Sequence, residues 1–208
     1  MTKMSISPYS DKGFNKIYNM LFCDDMDLFS DMKDAAETST WNTLLSSNPD
    51  AELLRKIILD ENSETRACMM AYRRLQEKGY PAERRELLGV VVEVGLEEGL
   101  DVIAAYKDGT ARYLNHSGKI VVWETRNRES EHIIDQLFTA GDEVVSRIGK
   151  WHNDRLPQPD VAQVRLSFLV SDGLYFGQGP FEILEKDAMG GPVIKAATQL
   201  MIFLTSHN

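Results

Sequence analysis

The chain has 208 residues, of which 43% are hydrophobic and 26% are charged. At ~150 residues per domain this length suggests one domain with an appendage, and the composition is that of a globular chain, not a disordered one. Lys and Arg number 23 against 32 Asp and Glu, so the net charge of −9 has the wrong sign for binding nucleic acid through its phosphates. The acidic excess indicates solubility or, more specifically, a basic partner.

Cysteine usage and the length of the apolar runs predict the compartment. Cys23 and Cys68 are the only cysteines, fewer than a secreted disulfide framework uses, so we expect a reducing environment. Met1 to Asp11 lacks the apolar core of a signal peptide, and the longest apolar run, Leu200 to Leu204, is about a quarter of a membrane span. We therefore expect a cytoplasmic protein with no membrane partner.

The N-terminal region has the periodicity of helices. Apolar residues from Phe14 to Phe22 recur at positions i, i+3, i+4, i+7 and i+8, which places them on one face of a short helix. A second helix is predicted to begin near Pro49, because the missing N–H of proline suits the first helical position. A third is predicted to begin at a Ser63 cap and to end at Gly79.

At about Leu87 the hydrophobic period changes from 3.6 to 2, which predicts strands. The strands form a four-strand antiparallel meander over Leu87–Val94, Leu100–Tyr106, Ala111–Asn115 and Lys119–Glu124. Asp108-Gly109 between two of these runs is typical of a tight hairpin turn. Val90–Val92 and Ile120–Trp123 are apolar on both faces, so either helices cover both sides of the sheet or a partner covers one of them.

Helical spacing returns after the meander, with Gly141 as an expected break or kink in the helix. The remaining predicted elements are a helix over Ile133–Ile148, a loop over Trp151–Asp160, a hairpin of Val164–Val170 and Leu174–Gly177, and a last helix over Val193–Leu204. This order predicts an α+β fold, with a mainly antiparallel sheet and helices on at least one face. A helical region (1–82) would pack on an α+β domain (83–208).

Side chains that could carry acid–base chemistry are scattered along the chain. The four histidines have no metal-ligand spacing and no serine stands in a nucleophile-elbow motif, so we expect no metal and no cofactor. The weak catalytic candidates lie near strand ends and turns: His116, Glu124, His152 and Asp172. They could act together only if the two hairpins place them on a common rim; otherwise they are ordinary turn residues.

Aromatic residues near the same turns and two glycine-rich stretches are the weak ligand-binding candidates. The aromatic residues are Trp123, Trp151 and Tyr175, which could equally anchor the core. The glycines are Gly177 and Gly179 in the second hairpin and Gly190 and Gly191 before the last helix, where unbonded N–H groups could hold an anion. The same glycines are equally explained, without a ligand, by the formation of a turn and by the beginning of a helix.

Three hypotheses about function follow from these patterns. The preferred one is a non-enzymatic interaction module, such as an adaptor, an immunity-like protein or an inhibitor, that binds a protein partner or a second copy of itself. The first alternative is a small hydrolase or transferase with a site near the hairpin turns. The second is a sensor of small anions or nucleotides in the region from Gly177 to Gly191.

Overall fold

The computed structural model describes residues 6–32 and 39–207, and in them a six-stranded antiparallel sheet lies between two layers of helices. The predicted α+β class is confirmed. The helices are α1 (Lys12–Met20), α2 (Ser39–Leu44), α3 (Ala51–Leu59), α4 (Thr65–Glu77), α5 (Arg128–Arg147), α6 (Phe181–Leu184) and α7 (Gly190–Ser206), and Met26–Phe29 forms a 3-10 helix. Over the described ranges, none of them is both long enough and apolar enough to cross a membrane.

The sheet consists of the predicted meander and the second hairpin, joined side by side. The strands are β1 (Leu87–Leu96), β2 (Gly99–Tyr106), β3 (Ala111–Leu114), β4 (Ile120–Trp123), β5 (Gln163–Val170) and β6 (Gly173–Pro180). Their order is β4-β3-β2-β1-β5-β6, so β1 lies in the interior and pairs with both β2 and β5. β6 is longer than predicted, because Gly177 and Gly179 pair with β5 within the strand.

Helices cover both faces of the sheet, which explains why β1 is apolar on both sides. Successive side chains of a strand point to opposite faces. Val91 therefore packs with the N-terminal helices, whereas Val90 and Val92 pack with α5 and α7. Among the large apolar side chains of the six described strands, only Val122 of the edge strand β4 is exposed.

The second helix begins near Pro49, as predicted, but its first residue is Ala51, so Pro49 does not occupy the first helical position. Asp50, not Pro49, precedes the first turn of α3, and its carboxylate accepts the N–H groups of Glu52 and Leu53 at 2.8 and 3.1 Å. A side chain that accepts two free N–H groups stabilises a helix start more than a proline, which merely lacks one of these donors. Pro49 lies just outside the helix.

The predicted Ser63 cap was also wrong. α4 begins at Thr65, whose backbone N–H donates to Asp108 Oδ2 at 2.8 Å, while the Asp108 N–H donates to Thr65 Oγ1 at 2.9 Å. The start of α4 is therefore tied to the β2–β3 turn. Periodicity cannot reveal a cap that comes from 43 residues away along the chain.

Gly141 does not break α5, which is continuous from Arg128 to Arg147. A Cβ atom on Gly141 would lie 2.9 Å from Leu87 Cδ2 and 3.3 Å from the Phe168 ring. A side chain at this position would push Leu87 and the Phe168 ring aside, so glycine is favoured where the helix approaches the sheet closely. The short helices α2 and α6 and the 3-10 helix were not predicted, since none is long enough to show a clear period.

Candidate functional site

The first candidate surface is an apolar groove between α3, α4 and segment 80–84, which we call the α3–α4 groove. It has a volume of about 630 Å³, and the buried side chains of Tyr72 and Leu75 contribute to its apolar lining. Arg55 also lines it, and its guanidinium lies 5.0 Å from the centre of the Tyr80 ring. Arg84 and Glu83 line it as well, so the groove is an apolar surface with charged side chains of both signs at its edge.

The end of α4 positions one wall of this groove. Gly79 has φ +85° and follows the last turn, as predicted for a glycine that ends the helix. Its N–H donates to the Gln76 carbonyl, and the next N–H, from Tyr80, donates to the Leu75 carbonyl, both at 2.9 Å. This reverse turn is the usual one for a glycine-terminated helix, and it brings Tyr80 back along α4.

Apolar side chains of the groove remain in contact with solvent. Leu59, the last residue of α3, is 77% exposed, the highest value among the large apolar side chains that the structure describes. Tyr80 is 46% exposed. The exposed carboxylates of Asp60 and Glu61 follow Leu59 directly. Burying one leucine side chain is worth about 1.5–3 kcal/mol, so an apolar contact at Leu59 would be favourable.

The second candidate surface, which we call the loop cleft, lies between α4, the turn after α1 and segment 150–155. Its volume is about 350 Å³. Met69, Arg73 and Gln76 reach it from one face of α4, because they are spaced by four and three residues. Gln76 Nε2 also donates to the Ser171 carbonyl at 2.7 Å, which holds α4 against the β5–β6 turn.

Two contacts hold the loop that forms the other wall of the loop cleft. Arg165 of β5 donates to the backbone carbonyls of Leu156 and Pro157. Beside β1, a Cβ atom on Gly95 would overlap the backbone carbonyl of Asp160, so only glycine allows this approach. The loop is therefore anchored from both β1 and β5.

Arg155 is the buried cation of the loop cleft, with a side chain only 10% exposed. Its Nε donates to Asp24 Oδ2 and its Nη2 to Asn19 Oδ1, each at 2.8 Å, and its guanidinium lies 4.0 Å from the centre of the Phe22 ring. The third nitrogen, Nη1, is buried and has no hydrogen-bond partner. An unsatisfied buried donor costs about 1–3 kcal/mol, and more when it is charged.

Of the residues that the sequence singled out, Trp151 and His152 line the loop cleft. The indole N–H of Trp151 donates to the Asp154 carbonyl at 2.9 Å, and its ring packs edge-on against Phe176 at 5.0 Å. His152 is exposed on segment 152–154. The sequence pointed to this loop but not to Arg155, because an arginine in a proline-containing loop carries no distinguishing pattern.

Asp172 lies in the β5–β6 turn beside the loop cleft. Its carbonyl accepts from Lys150 Nζ, and its Oδ2 accepts from the hydroxyl of the buried Tyr175 at 3.0 Å. The other carboxylate oxygen, Oδ1, is buried without a partner. Tyr175 thus anchors this turn from the core, and its predicted role in ligand binding stays a prediction.

The structure does not bring the four acid–base candidates onto one rim. Glu124 follows β4, four strand spacings (about 19 Å) from β5 and the Asp172 turn, and forms an ion pair with Arg112 at 2.7 Å. His116 lies at the opposite end of the strands, with its Nδ1 2.8 Å from Asp101 Oδ1. Only His152, which lines the loop cleft, and Asp172, in the turn beside it, lie in the same region, and the catalytic roles of all four residues remain predictions.

The remaining candidates lie on the α7 side of the sheet. Trp123 packs edge-on against Phe203 of α7 at 5.0 Å, as a core anchor would. At the start of α7, Asp187 Oδ1 accepts the N–H groups of Met189 and Gly190 at 2.8 and 2.7 Å, and its carbonyl accepts that of Gly191 at 2.9 Å. The N–H groups proposed to hold an anion therefore already have acceptors in the chain.

Comparisons with known proteins do not assign a family. No family model, curated protein or solved structure matches this chain. The α3–α4 groove and the loop cleft are therefore the features of the molecule that indicate its function.

Proposed function

We propose that the chain is a non-enzymatic interaction protein that associates with a second copy of itself through the α3–α4 groove. The observation that carries this proposal is the exposure of Leu59, 77%, beside an apolar groove of about 630 Å³. Each copy therefore carries both a projecting apolar side chain, Leu59, and a concave apolar surface that could receive the same side chain from another copy. In a two-fold dimer both copies use the same surface, so Leu59 of each copy enters the groove of the other.

The charges around Leu59 favour the same arrangement. When Leu59 of one copy enters the groove of the other, Asp60 and Glu61 accompany it, because they follow it directly in the chain. The groove that they approach is lined by Arg55 and Arg84, which pair with Glu52 and Glu86 in their own chain and would have to share these charges with the partner. Opposite charges at the rim of an interface steer association and fix its register. Two arginines and one carboxylate, Glu83, therefore line the groove that the acidic residues of the other copy approach.

Neither cysteine has the properties of a catalytic nucleophile. Burial raises the pKa of both thiols, that of Cys68 to about 11, so neither is readily deprotonated at neutral pH. Both are unpaired in the structure, which agrees with the reducing, cytoplasmic compartment that we propose.

A charge-introducing substitution tests the proposal. Leu59→Glu places a carboxylate in the apolar contact, so we expect it to convert a dimer into a monomer. Sedimentation velocity and light scattering, over a range of protein concentrations, measure the mass in solution. Ile183→Glu is the matched control, because Ile183 is 66% exposed on α6 and is not part of the groove.

The masses decide between the possible outcomes. Dimeric wild-type and Ile183→Glu proteins with a monomeric Leu59→Glu protein support the proposal, as does weaker association at high salt. A stable interface should bury more than about 1,000 Å², so a dimer would also protect the groove from hydrogen exchange. A wild-type protein that stays monomeric at every concentration, or a Leu59→Glu protein that remains dimeric, refutes it.

A further inference from the structure

The loop cleft combines a cavity of ligand size with a buried cation that lacks one acceptor. Its volume of about 350 Å³ lies in the range of small-molecule sites, about 300–1,000 Å³. We propose that the loop cleft binds a small organic oxyanion, namely a carboxylate or phosphate group carried on an apolar body. This site is separate from the α3–α4 groove and does not depend on self-association.

Arg155 identifies the charged end of the ligand. Its Nε and Nη2 are bonded within the chain, whereas Nη1 is buried without an acceptor. An anionic oxygen at Nη1 would form a charge-assisted hydrogen bond, which is short and strong. Because Nη1 is buried, binding requires a small movement of the atoms that cover it.

The other charges of the loop cleft also favour an anion. Arg73, Lys150 and Arg155 line it, against the carboxylates of Asp24 and Asp154. Asp24 is already bonded to Arg155, and Lys150 uses only one of its three donors on a backbone carbonyl. The lining of the loop cleft therefore has one more cationic than anionic side chain, and Arg73 also faces Glu77 at 3.6 Å, in a chain whose net charge is −9.

Apolar side chains in the same lining define the rest of the ligand. Met69, Leu169 and Leu174 contribute apolar surface, and Trp151 contributes an indole ring. A fully solvated inorganic ion would leave this surface unused. An oxyanion with an aromatic or aliphatic body would use both the cations and the apolar wall, which is the usual composition of a small-molecule site.

Four probes test this ligand class on the full chain. Benzoate and phenyl phosphate carry the two oxyanions on an aromatic body, benzyl alcohol carries the body without the charge, and inorganic phosphate carries the charge without the body. We expect benzoate or phenyl phosphate to raise the melting temperature by mass action and to change the tryptophan fluorescence, to which Trp151 contributes as one of three tryptophans. The probe that binds more tightly shows whether the site prefers a carboxylate or a phosphate. Benzyl alcohol and inorganic phosphate should bind much more weakly.

Substitutions in the lining test the site. Arg155→Gln should weaken binding of the better probe about tenfold or more, because a hydrogen bond to a charged group is lost. Arg155 also holds the loop, so Arg73→Gln, at a side chain 39% exposed, is a second variant that should fold normally and bind more weakly. Arg128→Gln, at an exposed arginine at the start of α5, is the matched control and should bind like the wild type.

Three results would overturn the proposal: no effect of either aromatic oxyanion, equal binding of benzyl alcohol, or unchanged binding by both Arg155→Gln and Arg73→Gln. Titrating Leu59→Glu with the better probe keeps the two proposals apart. Binding by this variant should equal that of the wild type, whatever its oligomeric state.

Discussion

Some glycines that look like simple breaks between elements in the sequence are required because two backbone segments approach each other closely. Gly95 lies within β1, where a glycine is normally unfavourable, yet a side chain there would collide with the Asp160 backbone. Gly177 lies within β6 in the same way, but nothing is within 4 Å of the place that its Cβ atom would occupy. Only the three-dimensional surroundings distinguish these two glycines.

This difference predicts opposite effects of the same substitution. Gly95→Ala should destabilise the protein by about 1–3 kcal/mol, the usual cost of overpacking, because the loop must move away from β1. Gly177→Ala should be neutral or slightly stabilising, since alanine restricts the unfolded chain without a clash. Urea unfolding of the two variants measures both effects. Equal stability of the two variants would contradict the packing argument.

At the scale of elements, the unbonded N–H groups at helix starts are accepted by side chains that lie at very different distances along the chain. Asp50 caps α3 locally, whereas Asp108 reaches the start of α4 from the β2–β3 turn. Hydrogen bonds from Thr65 and Thr110 lower the pKa of Asp108 although burial opposes this change. Asp187 accepts the N–H groups at the start of α7. The starts of α3, α4 and α7 are thus each positioned by an aspartate that accepts an N–H group of the first turn.

The carboxylate at the start of α7 predicts a dependence of stability on pH. Backbone hydrogen bonds from Gly190 and Met189 lower the pKa of Asp187 in the folded protein. Its stabilising contribution is therefore present above the ordinary aspartate pKa and is lost as the pH falls through the lowered value. Asp187→Ala should reduce the free energy of unfolding at neutral pH, and this difference should shrink below about pH 4. A difference that does not change with pH would contradict this assignment.

Considered as a whole, the molecule is joined across its layers by a buried polar cluster at the centre of the sheet. Glu93 of β1 is fully buried and lies opposite Arg165 of β5, with 3.5 Å between Oε2 and Nη1. Its Oε1 accepts the hydroxyl of Tyr18 from α1 at 2.7 Å. Arg165 in turn holds the loop that forms the loop cleft. These contacts connect the N-terminal helices, the sheet and the loop.

Removing the cation of this cluster should destabilise the whole fold. Arg165→Met leaves the Glu93 carboxylate buried without its counter-charge, which costs about 3–5 kcal/mol for a buried pair. Burial already raises the pKa of Glu93, while Arg165 and Tyr18 lower it, so loss of Arg165 should raise it further. The folded state then keeps a proton that the unfolded chain loses, and stability falls as the pH rises above about 4.

Denaturant unfolding at mildly acidic and mildly alkaline pH measures this effect. We expect the Arg165→Met protein to be least stable at alkaline pH. Adding Glu93→Gln to it removes the uncompensated charge and should restore part of the stability and flatten the pH profile. An equal loss at both pH values would show that the missing carbonyl contacts of Arg165, not the charge of Glu93, dominate.

Local patterns predicted the meander, the second hairpin and the end of α4 at Gly79, because strand alternation and turn chemistry act over a few residues. Of the residues that line the two candidate sites, the sequence patterns singled out only Trp151 and His152 as functional candidates. Leu59 extends an apolar stripe by one position, and nothing in the sequence shows that it remains exposed. Exposure depends on what packs nearby, which periodicity does not encode.

The amino-acid sequence alone was sufficient for the α+β class and the strand pairs that are neighbours along the chain. Tertiary structure alone decided that helices cover both faces of the sheet, that Asp108 caps α4 and that Arg155 meets Asp24 from 131 residues away. The physical reason is range: backbone geometry and turn preference are local, whereas burial, ion pairing and unsatisfied donors depend on which distant segments pack together.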